Sequence, residues 1–218
     1  MVLPPDRGRR FAAVAVVFEL GLGLGAVLIG LAVGHDPLAP AGAAGATGAA
    51  GAAGAARITA AADAVRYPVL ILVSTVATLP PLVFFLYFLR SRRPSLQRIR
   101  IVLVGVLDPL LRGMTVARSF IVALAAGIGE EVLFRGLLLG GLIALIGPVP
   151  ALIVSSLVFG ALHWITHTYA AFATVIGLYL GGLYLLTGTL LVPVLVHVFY
   201  DAAALILLSR RAVVDRQA

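Results

Sequence analysis

Three charged side chains, Glu130, Glu131 and Arg135, lie within an apolar stretch that has the composition of a membrane-spanning helix. On insertion scales, each charge at the centre of such a helix costs roughly 2.5–3.5 kcal/mol. Glu131 and Arg135 are four residues apart, with the acid nearer the N-terminus, so a helix places them about 40° apart and favours an ion pair. Glu130 points about 100° away from Glu131. The spacing predicts that Arg135 neutralises Glu131 and leaves Glu130 as the freer carboxylate, suited to general-base catalysis.

Two later apolar stretches each carry an imidazole. His163 follows Phe159 by four residues and His197 precedes Asp201 by four, so the members of each pair share one face of a helix. Asp201 would fix the tautomer and tilt of His197, or contact substrate itself. His167 lies four residues beyond His163, a spacing that also suits a shared metal. Because it stands between two threonines where the helix is predicted to end, we expect it to be a hydrated interface residue.

These side chains would lie on three helices that can converge, and their convergence would support two mechanisms. In the first, Glu130 and His163 activate a water molecule directly. In the second, Glu130, His163 and His197 hold a divalent metal such as Zn²⁺, which lowers the pKa of its bound water. The residue types leave both mechanisms open. A third interpretation is that the charged groups only join helices to one another.

The composition places the chain in a membrane. Of its 218 residues, 61% are hydrophobic and 11% are charged, and the mean hydropathy is +1.12, whereas soluble domains average about 45–50% apolar and about 25% charged residues. One polytopic membrane domain over residues 1–218 is therefore expected. The absence of cysteine excludes a disulfide framework, a thiolate zinc site and a cysteine nucleophile.

The apolar runs predict an all-α fold, a polytopic bundle of about six spanning helices. Residues 99–112 mix apolar and charged residues and predict an amphipathic helix at the membrane interface. The predicted spans are residues 11–33, 68–89, 116–146, 150–166, 169–187 and 189–208.

The net charge of +7 comes from arginine and concentrates in short segments between apolar runs, a pattern that indicates membrane orientation rather than nucleic-acid binding. Both termini and residues 90–100 are rich in arginine, which predicts that they lie on the cytoplasmic side of a cytoplasmic (inner) membrane. An Ala/Gly-rich loop over residues 34–67 would lie on the opposite side. The first apolar run resembles a signal peptide, but its length and Glu19 favour a retained helix.

Several glycines are candidates for close helix packing. Gly127 and Gly129 precede the charged motif and would let another backbone approach. Two pairs at four-residue spacing form small-residue stripes of the kind that allows membrane helices to pack tightly: Gly136 with Gly140, and Gly177 with Gly181.

The order and spacing of the charged motifs resemble the CAAX protease and bacteriocin-processing (CPBP, or ABI) family of intramembrane endopeptidases. The resemblance covers residues 115–209, which would form the catalytic core. The segment with Glu19 and residues 35–37 also resembles the N-terminal helix of many bacterial members. The motifs that carry the resemblance are Glu130-Glu131-x-x-x-Arg135, Phe159-x-x-x-His163 and His197-x-x-x-Asp201.

The resemblance implies an all-helical bundle with a water-accessible cavity that faces the cytoplasm, and hydrolysis of a peptide bond in a membrane-associated peptide or protein. Eukaryotic prenyl-protein endopeptidases of this family remove the last three residues of a prenylated CAAX protein, and bacterial relatives are linked to bacteriocin immunity or peptide maturation. Both a metalloprotease and a metal-free glutamate mechanism have been argued for the family. Its partners would be the substrate and the lipid bilayer, with no nucleic acid.

The resemblance also implies roles for individual residues. Glu130 would activate water and His163 would help to hold it, while His197 and Asp201 would stabilise the oxyanion. The prenyl-protein endopeptidases carry Asn at the position of Asp201, and an ionised Asp cannot donate a hydrogen bond. Asp201 would therefore be protonated, or it would orient His197 while His197 donates.

Two other functions use the same residue types. Buried acids and histidines also build the proton relays of membrane transporters, although the matching half-repeats of such transporters are not evident in the sequence. A non-catalytic membrane protein for bacteriocin immunity is the second alternative.

Overall fold

A computed structural model of the protein describes residues 6–39, 66–111 and 113–217. Within these ranges every regular element is helical and no β-strand occurs, which confirms the all-α prediction. Most of the predicted Ala/Gly-rich loop over residues 34–67 lies outside the described residues, from 40 to 65. The helices, in chain order, are α1 (Asp6–Ala32), α2 (66–77), α3 (Leu79–Arg90), α4 (Pro94–Leu111), α5 (Val116–Glu131), a π-helical segment (Val132–Leu139), α6 (Gly140–Ile146), α7 (Pro148–Leu162), α8 (His167–Thr187) and α9 (Leu191–Gln217).

The helix boundaries follow local sequence signals. A turn at Thr78 separates α2 from α3, next to Pro80 and Pro81, which favour a break at the start of a helix. Gly147, with a φ of 79°, ends α6, and the following proline begins α7. The Thr115 and Thr166 side chains accept hydrogen bonds from backbone N–H groups in the first turns of α5 and α8, as N-cap residues do.

In the part of the chain that the structure describes, four helices are long and apolar enough to cross a membrane: Gly8–Ala32, Arg66–Arg90, His167–Thr187 and Leu191–Arg211. The predicted count of six is therefore not confirmed. The predicted span over residues 150–166 is α7, whose 15 residues reach about 22 Å, less than the thickness of the hydrocarbon core. The predicted span over residues 116–146 is divided by the π-helical segment.

Helix α5 packs between two other helices. Its neighbours are α1 on one side and α9 on another, while α7 packs against α8 and the π-helical segment. Many large apolar side chains of the outer helices are exposed, for example Val17 (72%), Val83 (63%) and Leu186 (85%). Apolar side chains on the outside of a bundle are what a lipid environment requires.

The arginine-rich ends of the helices lie together. Arg100 of α4 and Arg211 of α9 both donate hydrogen bonds to the backbone carbonyl of Leu89, near the end of α3, at 2.7 and 2.8 Å. These two ends are therefore neighbours in space, and the side of the membrane on which they lie stays a prediction. Helix α4 begins five residues before the predicted start at residue 99, and its placement at the interface stays a prediction.

The glycines of α5 make the close contacts that the sequence predicted. A Cβ atom at Gly129 would collide with the backbone carbonyl of Glu19 in α1, and one at Gly127 would lie 2.7 Å from Cγ2 of Val198 in α9. Gly177 packs directly on Ser156 of α7. The other predicted stripe differs, because Gly136 and Gly140 contact residues 35–37, a turn after α1 rather than a helix.

We expect Gly129→Ala to destabilise the protein by about 1–3 kcal/mol, because the added methyl group would push α1 away from α5. Thermal unfolding in detergent measures the effect. Gly105→Ala is the matched control, since Gly105 also lies within a helix but no described atom lies within 4 Å of a Cβ placed there. This control should be neutral or slightly more stable. Equal stability of the two variants would contradict the close α1–α5 contact.

Candidate active site

A π-helical segment positions the charged motif. The sequence predicted one continuous α-helix over residues 116–146, but residues Val132–Leu139 are π-helical, a rare geometry that often occurs at functional sites. Side chains from outside the segment bind two of its carbonyl groups. The Ser155 hydroxyl donates to the carbonyl of Phe134 at 2.9 Å, and Nε2–H of His35 donates to that of Gly136 at 2.9 Å. The segment is thus held from α7 and from the turn after α1.

The predicted ion pair between Glu131 and Arg135 is present. Nη1 of Arg135 lies 2.7 Å from Oε1 of Glu131, and both side chains are almost completely buried. The guanidinium also donates through Nη2 to the carbonyl of Gly177 at 3.0 Å and lies 4.8 Å from the centre of the Phe159 ring. Arg135 therefore joins the π-helical segment to both α7 and α8.

Glu131 also binds His197. The Nδ1 atom of His197 lies 2.8 Å from Oε1 of Glu131, so Nδ1–H donates to this carboxylate and Nε2 faces the other acids. The sequence had predicted that Asp201 fixes the tautomer of His197. In the structure it is Glu131 that binds Nδ1–H and fixes the tautomer. Oδ2 of Asp201 lies 3.4 Å from Nε2 of the same ring. The two carboxylates hold opposite nitrogens of the imidazole.

Glu130 faces both imidazoles. Its Oε2 atom lies 3.5 Å from Nε2 of His163 and 4.0 Å from Nε2 of His197. The residue is 9% exposed, and Oε2 has no hydrogen-bond partner among the residues that the structure describes. These separations are too long for direct hydrogen bonds, and one water molecule can contact Oε2 and either nitrogen.

His163 is held by the end of α7. Its Nδ1 lies 2.9 Å from the carbonyl of Phe159, and because a carbonyl only accepts, Nδ1 carries the proton. The imidazole stacks on the Phe159 ring with centroids 4.3 Å apart. The helix ends just before His163 rather than at residue 166, so this side chain is at the C-cap. His167 is exposed and packs its ring against Trp164, as expected of an interface residue.

The same three side chains were the candidates for a zinc site. In the part of the chain that the structure describes, no group of three His, Cys, Asp or Glu side chains has the arrangement of a metal site. The 4.0 Å between Glu130 and His197 exceeds the ligand–ligand separation of about 3.3–3.5 Å that tetrahedral zinc geometry implies, and Nε2 of His197 also faces Asp201. The separations as placed are wider than those of a zinc site, and the possible divalent metal stays a prediction.

Glu130 and Asp201 form the polar end of a cavity of about 290 Å³. Its walls are mainly aromatic and aliphatic side chains of α3, α4, α8 and α9. Glu19 of α1 also lines it. The sequence placed Glu19 in the first apolar helix, and Glu19 was not among the predicted site residues. The signal that pointed to Glu130, a carboxylate within an apolar helix, applies equally to Glu19.

One family of known proteins matches part of the chain. Residues 112–203 match the model of the family described as type II CAAX prenyl endopeptidase Rce1-like. This segment belongs to the Rce1-like family. Its boundaries enclose all six predicted site residues, and Glu19 lies outside them. Neither a curated protein nor a solved structure matches the chain.

The Rce1-like match confirms the resemblance to CAAX proteases that the three motifs indicated. At the level of the family, the match supports a CAAX-protease-like endopeptidase, a class that acts on peptides or proteins. The four long apolar helices of the described residues have the length and composition expected of a multi-pass membrane protein.

Proposed function

We propose that the protein is an intramembrane endopeptidase that hydrolyses a peptide bond of a membrane-associated peptide or protein with a Glu/His-activated water. The observation that carries the proposal is the position of Oε2 of Glu130, within the reach of one water molecule from Nε2 of both His163 and His197. The protein would lie in the cytoplasmic membrane with both termini in the cytoplasm, as the arginine distribution predicts.

Water activation falls to Glu130 and His163. Because Nδ1 of neutral His163 carries the proton, its Nε2 can accept a hydrogen bond from the water. Glu130 accepts the other proton as the water oxygen attacks the peptide carbonyl. Glu130 then donates this proton to the amine that leaves, which restores the carboxylate.

Stabilisation of the tetrahedral intermediate falls to His197 with Asp201. His197 already donates through Nδ1 to Glu131, so a hydrogen bond to the oxyanion must come from Nε2–H of the protonated ring. Glu131 and Asp201 stabilise that protonated ring from its two sides. A preorganised charged donor of this kind is the usual device for an oxyanion. Asp201 stabilises the positive charge of His197 and does not itself donate a hydrogen bond to the oxyanion.

Comparative peptidomics of cells that produce wild-type protein or Glu130→Gln tests the function. We expect membrane-associated peptides whose cleavage depends on Glu130, and the cut sequence would identify the substrate. Identical peptide profiles, together with proton-coupled uptake by proteoliposomes, would favour a transporter. Bacteriocin immunity that survives both Glu130→Gln and His163→Ala would favour a non-catalytic immunity protein.

A further inference from the structure

Glu19 is a carboxylate near the middle of α1 that no step of the proposed mechanism uses. It lines the cavity that contains Glu130 and Asp201, and the backbone contact with Gly129 fixes it beside Glu130. Its Oε2 atom is buried and has no hydrogen-bond partner in the described parts of the chain. An ionisable group within a membrane helix is expensive and marks a functional site by default. A buried carboxylate oxygen is stabilised by a hydrogen bond or by an opposite charge, and Oε2 of Glu19 has no such partner among the described residues.

The basic side chains of the site face acids other than Glu19. Arg135 pairs with Glu131, His163 faces Glu130, and Nε2 of His197 faces Asp201. Glu19 takes part in none of the ion pairs among the described residues, and no arginine lines the described walls of the cavity. A cationic group brought by the substrate would supply the missing charge.

The walls of the cavity suit a substrate that is both cationic and apolar. Aromatic rings from three helices form much of the lining. Aromatic faces bury apolar side chains and also attract cations. A volume of about 290 Å³ is at the lower end of the range for ligand pockets, enough for a side chain and a neighbouring group. The rings are those of Phe84, Phe85, Phe88, Tyr169, Phe172 and Tyr200.

We propose that Glu19 is a specificity-determining residue that binds a cationic group of the peptide substrate while an apolar side chain occupies the aromatic cavity. The cation would be a lysine or arginine side chain or a free amino terminus. This inference rests on the proposed endopeptidase function and defines its substrate class.

A positional series of quenched fluorescent peptides tests the inference with the full-length protein in proteoliposomes. The peptides share a Leu- and Phe-rich background, and each position in turn carries Lys, Gln or Glu, with a free or an acetylated amino terminus. At one position we expect Lys to exceed Glu in kcat/KM by about tenfold or more. If the cation is the amino terminus, acetylation should lower kcat/KM by a similar factor instead.

Variants of Glu19 show whether this residue causes the preference for a cationic peptide. Glu19→Gln should reduce this preference at least severalfold, whereas Glu19→Asp, which keeps the charge, should retain a preference for the cation. Asp36→Asn is the matched control, since it removes an exposed acid that does not line the cavity and keeps an oxygen that can accept the hydrogen bond from the Leu38 N–H. This variant should keep the preference for the cation. A structural role of Glu19 would change the rates on all peptides together and leave their ratio unchanged.

Cleavage without any charge preference, or a preference that Glu19→Gln leaves intact, would overturn the role of Glu19 and leave the endopeptidase proposal standing. Failure to cleave any peptide, together with no Glu130-dependent products in cells, would overturn the proposed function itself and the inference with it.

Discussion

Glu130→Gln should reduce peptide cleavage by the purified protein by roughly 10²- to 10⁴-fold, the usual contribution of a general base, with little change in stability. The amide has nearly the shape of the carboxylate but cannot accept the proton of the attacking water. Because Oε2 of Glu130 has no hydrogen-bond partner among the described residues, the substitution breaks no hydrogen bond at that atom. Initial rates on a peptide identified by peptidomics, and thermal unfolding in detergent, measure the two effects.

Glu131→Gln is the matched comparison for this experiment, since it makes the same chemical change at the adjacent residue. Its carboxylate pairs with Arg135 and accepts a hydrogen bond from His197, so this variant should unfold at a lower temperature. Cleavage by purified Glu130→Gln at the wild-type rate would refute the assignment of Glu130 as the base. A large loss of stability in that variant would show that Glu130 has a structural role.

Arg135→Ala should destabilise the protein by about 3–5 kcal/mol, because it leaves Glu131 as an uncompensated buried charge. The substitution also removes the hydrogen bond to the Gly177 carbonyl and the contact with the Phe159 ring. Lower yield and a lower unfolding temperature in detergent are the expected observations. Removal of both charges in Glu131→Gln with Arg135→Ala should recover part of the loss.

Arg98→Ala is the control for the arginine experiment. Arg98 is exposed on α4, and exposed charges contribute little to stability, so this variant should unfold like the wild type. Normal yield and stability of Arg135→Ala would contradict the structural importance of the buried ion pair.

Helical periodicity was sufficient to predict the parts of the site that depend on spacing along one helix. Glu131 and Arg135 pair as their four-residue separation predicted, and Asp201 lies beside His197 for the same reason. Contacts between helices could not be predicted this way. The bond between Glu131 and His197 joins residues 66 positions apart, and it depends on the packing of α5 against α9.

The π-helical segment shows a second limit of sequence reasoning. Residues 132–139 are mostly apolar, with Arg135 and Gly136 among them, and no proline marks the change. The wider geometry depends on partners elsewhere in the chain, the hydroxyl of Ser155 and the ring of His35, which bind carbonyl groups of the segment. The sequence also predicted that α7 extends to residue 166, because nothing in its composition indicates that the helix ends before His163.

The cavity walls divide between two parts of the chain. Glu130, Asp201 and several aromatic rings belong to residues 112–203, which match the family, whereas the side chains from α1, α3 and α4 lie before that segment. The groups that we propose break the bond, and part of the cavity wall that would contact the substrate, thus belong to separate stretches of sequence. Mutations in the three earlier helices can therefore change substrate specificity without changing the proposed catalytic residues. Enzymes with this arrangement can evolve new substrates while they keep the same catalytic residues.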